Sequence, residues 1–96
     1  MKTVDITYQD NTLKVSGTLS FSNVMSVYEK SLPYLTEQSK WIFDFSAVVS
    51  SDSAGLALMF EWIKLANIRQ QSFQFLHVSQ DLLSLAKAAG LLPLLS

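Results

Sequence analysis

The chain has 96 residues, 49% of them apolar and 16% charged, which describes one globular domain (residues 1–96) with apolar content enough for its own core. Its net charge of −1, with seven basic residues scattered along the chain, leaves little material for a nucleic-acid or anionic-lipid footprint. Cysteine is absent, which removes disulfides, thiolate nucleophiles and zinc–thiolate centres and fits a reducing compartment.

The start Met1-Lys2-Thr3-Val4-Asp5 lacks the apolar run of a signal peptide. No apolar stretch approaches the ~18 residues that span a bilayer. The longest, Ala88 to Leu95, is broken by Gly90 and Pro93. A cytoplasmic protein without membrane insertion is expected.

Val4, Ile6 and Tyr8 alternate with polar residues at strand period, and Gln9-Asp10-Asn11 has turn chemistry. Leu13 and Val15 continue the alternation, so a hairpin ending at Gly17 is expected. Ser20 or Ser22 suits a helix N-cap, and Val24, Tyr28, Leu32 and Leu35 then recur at helical spacing. Pro33 ends or kinks this helix near Leu32, because proline lacks an N–H and clashes with the preceding turn. Trp41-Ile42-Phe43-Asp44-Phe45 reads as a central strand buried on both faces. The polar turn Ser50 to Ser53 follows, then a helix from Ala54 to about Gln70, then a strand from Phe73 to Val78. Ser79 caps a last helix with Asp81 in its first turn; Gly90 and Pro93 stop it.

The order β-β-α-β-α-β-α predicts an α/β fold: a mixed sheet of about four strands with helices on one face. The last two strands, joined by a helix, are expected to be parallel.

The turn Ser50-Ser51-Asp52-Ser53 leaves a buried strand and opens a helix, where backbone N–H groups are free. Asp52 or Ser53 can satisfy one of them as an N-cap. Gly55 lets another backbone approach closely or relieves crowding in the first turn. Two readings stand open. The turn is a well-capped helix start and no more, or Ser53 is also a modification or partner-contact point. A phosphate on Ser53 would sit at the positive end of the helix dipole but beside Asp52, placing a dianion on a partner-facing surface.

On the helix, Glu61, Lys64, Asn67 and Gln71 form one narrow polar stripe. Leu56, Met59, Phe60, Ile63 and Ala66 can face the sheet. Leu58, Trp62 and Leu65 then lie on a flank that either neighbouring helices or a partner must cover, and an exposed Trp62 would be an interface anchor.

Catalytic chemistry finds no support. His77 is the single histidine, and Asp52-Ser53-Ala54-Gly55 does not fit the G-x-S-x-G nucleophile elbow. A zinc site and a phosphate-cradling loop lack the residues they need, with one histidine and three glycines. Asp44, in an apolar strand, must be hydrogen-bonded to remain charged. It is expected to accept N–H bonds from the following turn and so to hold the loop carrying Ser53. The greasy Leu91-Leu92-Pro93-Leu94-Leu95 either packs back on the core or meets a second subunit.

The stretch Asp44-Phe45-Ser46-Ala47-Val48-Val49-Ser50-Ser51-Asp52-Ser53-Ala54-Gly55-Leu56 resembles the signature of STAS domains, where a strand ending in Asp-Leu-Ser is followed by a short loop and Asp-Ser/Thr-x-Gly-Leu. Ser51 departs from it, standing where the family usually has an apolar residue. Gly55-Leu56-Ala57-Leu58, Leu65-Ala66 and Leu85-Ala86-Lys87 resemble the Mla-type branch, the cytoplasmic STAS subunits of phospholipid-transporting ABC complexes. The resemblance implies a non-enzymatic, cofactor-free subunit that binds the transporter's ATPase subunit and supports its assembly or activity. It places Ser53 where STAS partner-switch proteins carry a phosphorylatable Ser or Thr, with Asp44, Ser51, Asp52 and Gly55 as scaffold. The family offers an alternative, an anti-sigma-factor antagonist switched by phosphorylation at Ser53.

Overall fold

β1 (Asp5–Gln9) and β2 (Thr12–Leu19) form the expected hairpin in the computed structural model, which describes residues 4–95. Residues 1–3, the head of the segment that lacks a signal-peptide run, and residue 96 lie outside the described residues. Asp10 and Asn11 join the strands with φ of 54° and 60°, the left-handed pair that a tight hairpin of matching twist requires. β2 does not stop at Gly17 but runs through it, with φ 97° there, to Leu19.

The chain then crosses to β3 (Trp41–Ser51) through α1 (Val24–Ser31) and a short 3-10 turn, Leu32–Tyr34. Neither expected serine caps α1. Asn23 holds the N-cap position, and its side chain ties down the loop by accepting from Ser20 N–H at 3.0 Å and donating to Thr18 O at 2.8 Å. Pro33 ends the helix as expected, its fixed φ fitting the 3-10 turn instead. α2 (Ser53–Ile68), β4 (Phe73–Leu76) and α3 (Gln80–Ala88) complete the chain, and a 3-10 turn (Leu92–Leu95) follows. Ser79 caps α3 by accepting from Leu82 N–H at 3.2 Å, and Gly90, φ 73°, follows it in the left-handed conformation.

The four strands lie in sequence order, β1-β2-β3-β4. The hairpin pair is antiparallel; β2–β3 and β3–β4 are parallel. Burial alternates along β1, over Leu13–Val15 of β2 and over Trp41–Phe45 of β3. Leu13, Val15, Trp41, Phe43 and Phe45 are buried, whereas Lys14 and Ser46 are exposed and Ile42 and Asp44 only half-buried. β3 is therefore covered on one face, not two, and that face takes all three helices. Its core is aromatic: Phe43 stacks on Trp62 at 4.3 Å and on Phe75 at 5.2 Å between ring centroids. Leu95 is buried and anchors the C-terminal segment, while Leu94 remains 50% exposed. No helix among the described residues is long and apolar enough to cross a membrane.

Candidate functional site

The end of β3 is longer and more bent than a plain strand. Lys14 and Ser16 of β2 face Asp44 and Ala47, and Gly17 and Thr18 face Val48 and Ser50, so β3 carries an extra residue at each of two register shifts. Such bulges sharpen twist and re-aim the strand end. Ser50 and Ser51 consequently belong to β3, paired with Thr18 and Leu19, and only Asp52 separates strand from helix. The polar turn expected over Ser50–Ser53 is thus a single residue.

That residue is the cap. Asp52 is extended (φ −90°, ψ −166°), and its carboxylate accepts the Ala54 N–H at 2.8 Å. Its own N–H donates to Leu19 O at 3.4 Å and its carbonyl accepts from Gly55 N–H at 3.1 Å, which fixes the helix start to β2. Ser53 is the first residue of α2 and is exposed, and its hydroxyl takes no hydrogen bond among the described residues. Gly55 is buried one half-turn further on. A Cβ there would overlap the Ser51 hydroxyl and lie 3.2 Å from Ser51 Cβ and 3.3 Å from Leu82 Cδ2. The glycine therefore serves close packing of β3, α2 and α3. Ser51 turns its hydroxyl to the Asp52 carbonyl at 2.8 Å.

Asp44 does not hold this turn. Its carboxylate accepts the Ser46 N–H at 2.8 Å and so stabilises the first bulge of β3. Partial burial pushes its pKa up, but the Ser46 backbone and hydroxyl bonds and the nearby His77 and Lys14 charges together outweigh it, so the carboxyl titrates below its ordinary value. His77 itself is exposed and, with φ 59°, ends β4 two residues earlier than the expected Val78.

The flank Leu58-Trp62-Leu65 is not a free surface. Leu58 and Trp62 are 2% and 0% exposed, and Leu65 is half-buried against the core. α1 covers them: Trp62 Nε1–H donates to Ser31 Oγ at 2.9 Å, and Ser31 in turn donates to Tyr28 O at 2.6 Å. What the flank leaves open is a groove of about 190 Å³ between the N-terminal parts of α1 and α2, lined by Phe21, Val24, Met25, Ala57, Leu58 and Glu61. Phe21 and Met25 are 69% and 57% exposed. Ala57 lies one turn after Ser53 on the same helical face, so groove and serine are neighbours. Phe21, just before α1, and Met25, within it, are four residues apart and off the Val24–Val27–Ser31 face that packs inward, a spacing legible in the sequence.

A family model described as "Mlab, STAS domain" matches residues 3–96. No curated protein matches the chain. Among solved structures, the anti-sigma factor antagonist SpoIIAA in its unphosphorylated form superposes with a TM-score of 0.70 at 17% identity, over 95% of this chain and 84% of that one. A serine-to-glutamate variant of RsbS from Moorella thermoacetica superposes with a TM-score of 0.65 at 18% identity, over 91% and 77%. At such identities the two structures speak for the fold alone.

Proposed function

The chain belongs to the STAS domain family, in its MlaB-like branch, and from that footing we propose that it is a non-enzymatic docking subunit whose contact surface is the start of α2. The observation that carries this is the placement of Ser53: exposed, on a helix start fixed by Asp52 and Gly55, beside an open apolar groove. A contact residue on such a scaffold loses little freedom on binding. Exposed Phe21 and Met25 supply apolar area, since aromatic residues and Met are enriched in interfaces.

The partner in this reading is the ATPase subunit of an Mla-type phospholipid ABC transporter. The protein is then cytoplasmic, held at the inner membrane through that subunit, and supports its assembly or activity and thereby outer-membrane lipid asymmetry. The family model's description favours this partner. A second reading, an anti-sigma-factor antagonist switched by phosphorylation of Ser53, draws on the likeness to SpoIIAA.

Mixing the purified chain with the ATPase subunit of its own organism tests the first. A complex is expected, weakened about tenfold or more by Ser53→Asp and by Met25→Lys, each placing a charge that must lose its water in the interface. A complex indifferent to both substitutions would remove this surface from the reading. For the second, the organism's serine kinase is expected to add one phosphate, lost in Ser53→Ala, by intact mass; no phosphate from an active kinase counts against it.

A further inference from the structure

β3 outruns the strand beside it. β4 pairs with it only from Trp41 to Asp44, and the chain then leaves the sheet at His77, whose left-handed φ of 59° turns the backbone out of strand geometry. From Phe45 to Ser51, β3 pairs with β2 alone among the described strands. Its other edge there is a notch with no strand alongside.

The lower end of the notch is closed by the chain itself, because the Ser46 N–H is taken by the Asp44 carboxylate. The remainder, Ala47-Val48-Val49-Ser50-Ser51, contains no charge and no proline. Val49 is 61% exposed and Ser50 is exposed. Edges of natural sheets are usually blunted by charges, proline, bulges or a covering segment, because an open row of backbone donors and acceptors pairs with any strand it meets; here the one such device is the bulge at Val49, between Val48 and Ser50, which twists the edge without closing it. The opposite edge of this sheet has that protection. β1 carries Asp5, whose carboxylate accepts the Ile6 N–H at 2.8 Å, and its other exposed positions are Thr7 and Gln9.

We propose that the notch along Ala47–Ser51 receives an extended segment of the partner protein, added as a short strand beside β3. An added strand exchanges the water on these backbone groups for main-chain partners, on either side of the bulge. The row is short, and pairing along it buries far less than the roughly 1,600 Å² of a stable interface. It therefore does not make a dimer of this chain; it adds to a contact made elsewhere. That contact lies next to it, since Ser53 is two residues beyond the notch. The inference thus rests on the docking surface proposed above and deepens it. Val48 and Val49 make desolvation of a charge costly, so the added segment is uncharged and rich in small or β-branched residues.

Hydrogen exchange on the full chain, free and bound to the ATPase subunit, tests this. Amides within Ala47–Ser51 are expected to slow by about tenfold or more in the complex. Val49→Lys, at an exposed position where a fold penalty is small, is expected to weaken binding about tenfold while Val49→Thr binds as the parent. A complex that responds to Ser53→Asp but shows neither protection nor sensitivity to Val49→Lys overturns the notch and leaves the docking surface standing. Absence of any complex overturns both. Protection that grows with concentration of the chain alone assigns the notch to a second copy and overturns the partner strand.

Discussion

Ser51 and Gly55 are a matched pair: a hydroxyl fills the space that any side chain at residue 55 would need. Gly55→Ala is expected to destabilise the fold by about 1–3 kcal/mol, the usual range for overpacking, read as a lower denaturation midpoint. In a Ser51→Ala background the overlap with the hydroxyl is gone and contacts of 3.2 and 3.3 Å remain, so most of that loss is expected to return. The sequence marks Gly55 as special but leaves open whether it admits another backbone or relieves crowding in the first turn; the structure shows that its neighbours are the side chains of Ser51 and Leu82. Asp44 shows the same limit. Its need for a hydrogen bond is legible, its partner is not. Because its folded-state pKa is lowered, the carboxylate's contribution is present in full above its ordinary pKa and is lost as pH falls through the lowered value. Asp44→Asn is expected to be less stable than the parent near neutrality, by under about 1 kcal/mol because water screens so accessible a group, with the gap closing in acid. A gap independent of pH in denaturant titrations would contradict this.

At the scale of elements, α1 and α2 are joined by one buried polar link, Trp62 Nε1–H to Ser31 Oγ, inside an otherwise apolar contact. Ser31→Ala leaves the indole N–H buried without a partner and is expected to cost about 1–3 kcal/mol in thermal or chemical unfolding, while Ser31→Thr retains the acceptor and loses less. The link decides between the two readings the sequence leaves open for the flank Leu58-Trp62-Leu65: a neighbouring helix covers it. The apolar arc of α2 is wider than one sheet face needs, and periodicity within a helix cannot say which neighbour covers the excess. From sequence β3 is legible only as Trp41–Phe45 for a related reason: its extension carries two bulges, which break the period that marks a strand.

For the whole molecule, the core and the proposed docking surface lie in different places. The core lies between one sheet face and three helices, whereas Ser53, Met25 and Phe21 are exposed. Ser53→Asp puts a negative charge at the helix start, where the dipole favours it by about 0.3–1 kcal/mol, so the melting temperature is expected to hold or rise slightly while binding falls. A large drop in melting temperature would show that the charge disturbs the Asp52 cap instead. The sequence by itself determined the element order, the hairpin turn, the cap at Ser79 and the family, and narrowed the cap of α2 to Asp52 or Ser53, because these rest on local chemistry and on a motif contiguous in the chain. It also placed Ser53 at the head of a helix. The tertiary structure alone decided that Trp62 is core, that Asp52 is the cap, that Asp44 secures a bulge, and that Phe21 and Met25 share a groove with Ala57, one turn beyond the serine. Those facts depend on which surfaces meet when separate elements pack, and no spacing along the chain encodes that meeting.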